Sequence, residues 1–273
     1  MQTVKTASTA VQTGILGLFD ILGYRSFLEN NDSDKAAALV VDTIADAEET
    51  VIQYVHETAG SDDQEAILFV HYIKRIGWIT FSDTIMLMNP IDPEEDLTGI
   101  IRSWHALILS SQILCKYMFE QGLPLRGAIT YGNYVSRKTC FAGRAILDAY
   151  KLANELEFAG SVMTEQAFQE LQRITEHFAS DRTVRLLLDV SLLRYPVPRE
   201  KVNEPLRTLN FLAVKGTSSR RWRGVLYQIV LDSFRKHRKS ISDREIQKAK
   251  NTAAYLEFLC ERFPGIVEIE EQK

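Results

Sequence analysis

Residues Gly14 to Gly23 read GILGLFDILG, an apolar stretch that contains one charged side chain, Asp20. The run is short, follows a polar N-terminal stretch and ends at a glycine, which is typical of a buried strand over Gly14 to Ile21. Burying a lone carboxylate in such a strand costs several kcal/mol unless the group is paired or bound to a metal. The sequence therefore predicts that Asp20 has a compensating partner.

A second acid lies in a predicted hairpin. The segments Gly77 to Phe81 (GWITF) and Thr84 to Met88 (TIMLM) are rich in β-forming residues, and Ser82 and Asp83 between them predict a tight turn. If this hairpin lies beside the first strand, Asp83 meets Asp20. Two carboxylates near a glycine-containing strand-to-helix turn suit Mg²⁺ or Mn²⁺ bridging to a nucleoside triphosphate. Taken alone, Asp83 is more simply an ordinary turn aspartate.

Helical periodicity and short apolar runs alternate along the rest of the chain. Apolar residues at spacings of three and four predict helices over Arg25 to Thr58, with a break near Asn30 to Asp34, and from Leu97 to Gly122. The segments that follow read as a strand at Leu125 to Val135, a helix at Gly143 to Phe158, a strand at Ser161 to Thr164 and a helix at Glu165 to Phe178. This order predicts an α/β sandwich with a ferredoxin-like mixed sheet.

The last third of the chain predicts an elaboration of the same domain. Its segments read as strands over Val184 to Leu193 and Leu209 to Val214, and as helices over Val225 to Phe234 and Ser242 to Phe263. No low-complexity linker separates them from what precedes. We expect residues 1–180 to form the main body and residues 181–273 to pack on it.

Composition excludes several classes of protein. The chain has 273 residues, is 45% hydrophobic and 25% charged, and carries a formal net charge of -4, which is not the composition of a disordered chain. Its apolar runs fall far short of the roughly 20 residues of a membrane span. The N-terminus shows no secretory signal, which predicts a cytoplasmic protein. Three separated cysteines and five separated histidines predict neither a disulfide framework nor a zinc site.

Two basic segments leave two interpretations open. Arg220 to Arg223 and Arg235 to Lys239 carry an aromatic residue between their charges, a pattern that occurs in nucleic-acid-binding surfaces. With a net charge of -4, a solvated surface patch, a rim that attracts triphosphate or a contact with a phage component is favoured. We expect no nucleic-acid partner.

Four motifs together resemble class III nucleotidyl cyclases. Phe19 to Tyr24 (FDILGY) resembles the FxDIxGF segment of that family, and Ser82 to Met86 (SDTIM) resembles its GDxxM hairpin. Leu125 to Gly132 (LRGAITYG) resembles the RxGIxxG strand, and Cys140 to Leu152 resembles the segment written xxxGxxVNxAxRL. Each motif is weak alone, but all four occur in family order.

The resemblance implies a homodimer with two active sites at its interface and two Mg²⁺ or Mn²⁺ ions in each site. Asp20, Asp83 and the carbonyl of Ile21 would hold the metals, while the turn of Leu22, Gly23 and Tyr24 would bind the β and γ phosphates. The ribose 3′-hydroxyl would attack the α-phosphate and expel pyrophosphate, leaving a 3′,5′-cyclic nucleotide.

Two departures from the family pattern concern the residues that the second chain would supply. Leu147 stands where the family has a ribose-positioning asparagine, and Lys151 stands where it has the arginine that stabilises the transition state. Lys151 would offer a point charge in place of a bidentate guanidinium. Arg144, seven residues earlier on the same predicted helix, is the rival. Either side chain is equally explained as a solvated helix charge.

The positions that select the base also depart from the family. Ile79 and Cys140 occupy them, and the apolar Ile79 cannot read a purine edge by hydrogen bonding. A shifted sheet would present Thr80 or Trp78 to the base, although core packing explains Trp78 and Ile79 more simply.

The hairpin SDT and the helix sequence AYKLANELE are similar to the small bacterial pyrimidine cyclases of Pycsar anti-phage systems. This resemblance implies UTP or CTP as substrate, a phage trigger, and cyclic UMP or cyclic CMP read by a separate effector. Two alternatives stay open: an adenylate or guanylate cyclase, and a catalytically silent cyclase-homology domain that acts as a dimeric nucleotide sensor.

Overall fold

A long strand near the N-terminus, β1 (Val11–Ile21), forms the centre of the fold in the computed structural model. The structure describes residues 11–59, 63–137, 140–178, 181–200, 203–214, 222–223, 225–264 and 269–270. The further strands are β2 (Gly77–Phe81), β3 (Thr84–Pro90), β4 (Leu125–Arg137), β5 (Cys140–Ala142), β6 (Gly160–Met163), β7 (Leu192–Val197), β8 (Glu204–Leu209), β9 (Trp222–Arg223) and β10 (Ile269–Glu270). The helices are α1 (Tyr24–Glu29), α2 (Ser33–Ala59), α3 (Gln64–Lys74), α4 (Leu97–Glu120), α5 (Arg144–Glu155), α6 (Glu165–Thr175), α7 (Arg182–Leu186), α8 (Leu226–Arg235) and α9 (Asp243–Arg262).

The main sheet has the order β2-β3-β1-β4-β6-β8-β7, with β5 paired to β4. The strand β1 runs antiparallel to both β3 and β4, and β4 runs parallel to β6. The first four strands therefore stand in the order β2-β3-β1-β4, which is that of a ferredoxin-like βαββαβ unit. The predicted mixed sheet is confirmed.

Apolar side chains pack on both faces of the sheet. The larger core includes Phe19 of β1 and Trp104 of α4, both fully buried. A smaller cluster lies on the opposite face, where Leu16 packs with Met86 and Tyr134. Since side chains alternate along a strand, Asp20 shares the face of Leu16. None of the helices in the described part of the chain is long and apolar enough to cross a membrane.

Two of the strand predictions for the C-terminal part of the chain are wrong. Most of Val184 to Leu193 is helical, because α7 continues into a π-helical turn, Leu187–Ser191, before β7 begins. Val184 and Leu187 are buried at a spacing of three, which suits a helix better than a strand. Likewise, β8 ends at Leu209, and the Asn210 side chain accepts a hydrogen bond from the amide of Leu212 to start a 3-10 turn. Helix α3 and strand β5 were not predicted.

The basic segment Arg235 to Lys239 contacts the C-terminal end of α4. Lys236 Nζ donates to the Glu120 carbonyl at 3.2 Å, and Lys239 Nζ donates to the Gly122 carbonyl at 2.7 Å. His237 Nε2 lies 2.7 Å from the carbonyl oxygen of Gln121. Cations favour this end of a helix because its last carbonyls carry partial negative charge. The segment is therefore a helix cap rather than a solvated patch, whereas Arg220 and Arg221 lie outside the described residues.

The burial of Lys239 against the end of α4 can be tested through the pH dependence of stability. Burial lowers the pKa of Lys239 to about 7, from an ordinary value of 10.5. Between these two values the unfolded chain binds a proton that the folded chain does not bind. The free energy of unfolding therefore gains a contribution that rises with pH, by at most about 1.4 kcal/mol per pH unit. Denaturant titrations from pH 7 to 10 should show this slope reduced in Lys239→Met and retained in Lys250→Met, whose lysine is exposed. Equal slopes in the two variants would contradict the lowered pKa of Lys239.

Candidate functional site

The candidate site lies where β1 ends. Asp20 pairs in register with Thr84 of β3 on one side and with Arg126 of β4 on the other. The turn between β2 and β3 holds Ser82 in the left-handed region, with φ 57, as the predicted tight turn requires. The carbonyl of Asp83 accepts a hydrogen bond from the amide of Ile21 at 3.0 Å, which fixes the turn against the end of β1.

The side chains of Asp20 and Asp83 meet at this point. Burial is the largest cause that raises the pKa of Asp20, and the nearby Arg126 guanidinium opposes it. The charge of Asp83 and a carboxyl–carboxyl hydrogen bond raise that pKa further. The structure thus brings together the two acids that the sequence singled out, in an arrangement of like charges that a cation would relieve.

Arg126 holds Asp20 in place. Its Nε donates to Asp20 Oδ2 at 3.0 Å, its Nη2 donates to Asn154 Oδ1 at 2.7 Å, and its Nη1 donates to the Asn154 carbonyl at 3.0 Å. The planar guanidinium therefore ties the end of β1 to the end of α5. The sequence motif Leu125 to Gly132 contains Arg126 but does not by itself predict the pairing of Arg126 with Asp20. The available sequence signal was a charged residue at the start of a strand that pairs with β1.

The oxygen atoms available near Asp20 are of the kind that bind Mg²⁺. Asp20 and Asp83 offer hard carboxylate oxygens, and the backbone carbonyl of Ile21 is adjacent in sequence. Within the described ranges, no group of three or more His, Cys, Asp and Glu side chains forms a closed metal cage. Mg²⁺ is commonly bound through one or two carboxylates together with substrate phosphates and water. The residues present therefore fit a divalent ion that shares its coordination with a phosphorylated substrate.

Leu22, Gly23 and Tyr24 form the turn that follows β1. Leu22 is buried, and its amide donates to the Pro124 carbonyl at 2.9 Å. Gly23 adopts φ 75, a left-handed conformation that favours glycine, and the half-buried Tyr24 then begins α1. The three residues predicted to bind phosphate thus directly follow Asp20 and Ile21 in the chain.

A cleft of about 680 Å³ opens beside the hairpin. The residues that line it come from β1, the β2–β3 hairpin, β5 and α5, and are Leu18, Ile79, Thr80, Phe81, Thr84, Phe141, Ala142, Gly143, Ile146, Leu147 and Tyr150. Two of the predicted base-selecting residues, Ile79 and Thr80, are therefore in its wall. Cys140 is exposed and precedes the lining residue Phe141, whereas Trp78 packs against the larger core.

The two candidate transition-state residues lie on the surface of α5. Arg144 and Lys151 are exposed, and the Arg144 guanidinium pairs with Asp148 at 2.9 Å. Among the residues that the structure describes, neither forms a hydrogen bond or an ion pair with Asp20 or Asp83. A single chain therefore does not bring them to the acids.

Apolar side chains surround the mouth of the cleft. Phe81 is 79% exposed, Tyr150 is 53% exposed and Leu147 is 44% exposed. Several large apolar groups in solvent around one cavity are unusual for an isolated chain. This rim is a candidate contact surface.

Comparisons with known proteins yield a structural likeness but no sequence match. No protein-family model and no curated protein matches the chain. The crystal structure of the adenylyl cyclase CyaB from P. aeruginosa is similar at 13% identity and a TM-score of 0.41, covering 78% of this chain and 98% of that one. The crystal structure of the guanylyl cyclase Cya2 is similar at 10% identity and a TM-score of 0.35, covering 74% and 92%. At these values neither match decides the fold or the function.

Replacing Asp83 tests the pair of acids. Asp83→Asn removes a like charge beside Asp20, so the metal-free protein should melt at an equal or higher temperature than wild type. Wild type should gain about 1.4 kcal/mol of stability at a Mn²⁺ concentration about ten times its dissociation constant, and Asp83→Asn should lose that gain. Thermal melts with and without Mn²⁺ measure both effects.

The matched control is Asp42→Asn, which changes an exposed aspartate of α2. It should respond to Mn²⁺ as wild type does. Undiminished stabilisation of Asp83→Asn by Mn²⁺ would show that the ion binds elsewhere.

Proposed function

We propose that the chain is a class III nucleotidyl cyclase that uses Mg²⁺ or Mn²⁺ to convert UTP or CTP into the 3′,5′-cyclic monophosphate and pyrophosphate. The observation that carries this proposal is the meeting of Asp20 and Asp83 at the end of β1, with Arg126 beside them. A binding module has no strong need for two partly buried like charges. A reaction that moves negative charge onto phosphate oxygens does, because bound cations offset that charge.

The residues of the site would have separate roles in binding the metal ions and the phosphates. Asp20 and Asp83, with the Ile21 carbonyl, would hold two divalent ions, which supply positive charge to the phosphates and to the attacking oxygen. The turn of Leu22, Gly23 and Tyr24 would position the β and γ phosphates. The 3′-oxygen would form a bond to the α-phosphorus as the bond to the β-phosphate oxygen breaks, and the hydroxyl proton would leave to solvent.

A second copy of the chain would complete the site. The exposed apolar rim of Phe81, Leu147 and Tyr150 supports such a homodimer, since association would remove it from water. Lys151 and Arg144 are solvent-exposed on the same helix as Leu147 and are available to an opposing copy. We propose Lys151 as the group that stabilises the transition state, with Arg144 as the alternative.

The cleft supports a pyrimidine substrate. Its lining is apolar apart from the hydroxyls of Thr80, Thr84 and Tyr150, and Ile79 offers no hydrogen bond to a purine edge. Together with the resemblance to Pycsar cyclases, this favours uracil or cytosine next to Thr80. We propose that the cyclic nucleotide is an alarm signal in anti-phage defence, formed after a phage trigger and read by a separate effector.

One observation favours a second candidate function. Leu147 presents an apolar side chain where the family carries an asparagine. A catalytically silent dimer that binds a nucleotide as a sensor would tolerate this change.

Product analysis distinguishes the candidates. Purified protein incubated with each of the four nucleoside triphosphates and Mn²⁺ should release pyrophosphate, with cyclic UMP or cyclic CMP identified by mass as the main product. Asp83→Asn should reduce the rate at least about a hundredfold because metal-derived charge stabilisation is worth several kcal/mol, while Asp42→Asn should match wild type. A purine product would overturn the pyrimidine assignment, and no pyrophosphate from any substrate would favour the silent sensor.

Mixing two inactive variants tests the shared site. Asp20→Ala and Lys151→Ala should each be inactive alone. If subunits exchange freely, half of the dimers carry one intact site, so the mixture should recover about a quarter of wild-type activity. Asp20→Ala mixed with Arg144→Ala serves as the comparison for the rival residue. No recovery in the first mixture, despite exchange shown by differently tagged subunits, would exclude Lys151 from the opposing chain's site.

A further inference from the structure

Residues 236–240, which we call the clamp, have an unusual backbone. His237 and Arg238 are consecutive non-glycine residues in the left-handed region, with φ 60 and φ 58. Residues other than glycine rarely adopt this conformation, because it brings Cβ too close to the following carbonyl oxygen. Such strain persists only where surrounding contacts impose it, and it is found most often at functional sites. Two strained residues in succession therefore call for a functional reason.

Hydrogen bonds hold the clamp from two sides. On one side, its lysines cap the C-terminal end of α4. On the other side, Asn30 Nδ2 donates to the Arg238 carbonyl and to Ser240 Oγ, both at 2.9 Å. Asn31 Nδ2 donates to the His237 carbonyl at 2.6 Å. The carbonyls of both left-handed residues are thus fixed by the two asparagines that follow α1.

The clamp also packs against α1 and the turn that begins it. The ring of the buried Phe27 lies 5.5 Å from the ring of His237, edge to face. The apolar stem of Lys239 lies against Gly23, since a methyl group added to this glycine would come within 3.3 Å of Lys239 Cδ. Helix α1 has only six residues and starts at a glycine, which has no side chain to cap it. So short a helix is not stable alone, and tertiary contacts such as these set its position.

We propose that the clamp is a positioning element of the phosphate site: it holds α1 so that the turn of Leu22, Gly23 and Tyr24 keeps the conformation that receives phosphate. This inference rests on the proposed function, because it takes that turn to be the phosphate site. The clamp acts through α1, and its own side chains do not touch the nucleotide. A turn that is ordered before the ligand arrives loses less conformational entropy on binding, which raises affinity.

Two substitutions of the exposed Arg238 test the clamp. Both remove the same charge, but glycine fits φ 58, whereas the β-branched valine opposes it. Arg238→Val should reduce the fraction of molecules with an intact clamp. Calorimetry of the full chain with Mn²⁺ should therefore show inorganic tripolyphosphate binding about tenfold more weakly, since apparent affinity falls with that fraction. Arg238→Gly should match wild type within about twofold.

The affinity for Mn²⁺ alone separates positioning from general damage to the fold. Asp20 and Asp83 are held by the pairing of β1 with β3 and by the hairpin turn, so Arg238→Val should bind Mn²⁺ as wild type does. A clamp that only caps α4 would lower the melting temperature of Arg238→Val without changing its tripolyphosphate affinity, and that result would overturn the proposal. An equal loss of affinity in Arg238→Gly would also overturn it, because the missing charge would explain the effect.

Should Arg238→Val fail to fold, hydrogen exchange of wild type decides. Coupling between two sites is reciprocal, so a ligand held by the turn should also steady the clamp. Tripolyphosphate with Mn²⁺ should slow amide exchange in α1 and the clamp by more than in α6, which begins at the opposite end of β6. An equal effect in α6 and the clamp, or no binding of tripolyphosphate by wild type, would contradict the proposed role.

The two proposals fail separately. If Arg238→Val weakens tripolyphosphate binding but wild type cyclises no triphosphate, the clamp stands and the proposed reaction is wrong. If wild type forms a cyclic nucleotide and Arg238→Val keeps its KM and its tripolyphosphate affinity, the reaction stands and the role of the clamp is wrong.

Discussion

The repulsion between two partly buried carboxylates organises this end of the molecule. Asp20 and Asp83 are held together by backbone pairing: β1 is fixed between β3 and β4, and the hairpin turn is bonded to the amide of Ile21. The fold therefore stabilises an arrangement that electrostatics opposes. Arg126 compensates it in part, but the pKa of Asp20 stays raised because the effect of burial is larger. The proposed metal-dependent phosphate site would require such an arrangement of acids, held in place by the surrounding structure before the ligands bind.

The site depends on parts of the chain that are far apart in sequence. Asp20 comes from the first described strand, Arg126 lies 106 residues later, and Asn154 joins Arg126 to α5. Helix α9 closes the same edge through Thr252. A chain restricted to the first two thirds would lack the helix that contacts Ala159 at this edge of the sheet.

Local sequence patterns predicted the central strand and the hairpin turn. They did not predict contacts between residues that are far apart in the sequence. The strand from Gly14 to Ile21 and the Ser82–Asp83 turn follow from short-range sequence chemistry, and the placement of Asp20 beside Asp83 needed only the one assumption that the hairpin adjoins the first strand. The partnership of Arg126 with Asp20 depends on strand register, which no single segment specifies. Lys248 is a polar residue in an amphipathic helix, and only tertiary packing reveals that it is buried. Val184 to Leu193 was misassigned because a short apolar run suits a strand and a buried helical turn equally.

The contact between the Lys236–Lys239 segment and the end of α4 bears on how the protein is made. The carbonyls of Glu120, Gln121 and Gly122 receive their partners from residues more than a hundred positions later. While the chain emerges from the ribosome, this helix terminus stays in water until most of the polypeptide has been synthesised. Co-translational folding of the sheet alone therefore leaves an unfinished intermediate, and a nascent chain arrested before residue 236 would expose the very surface that the completed protein covers.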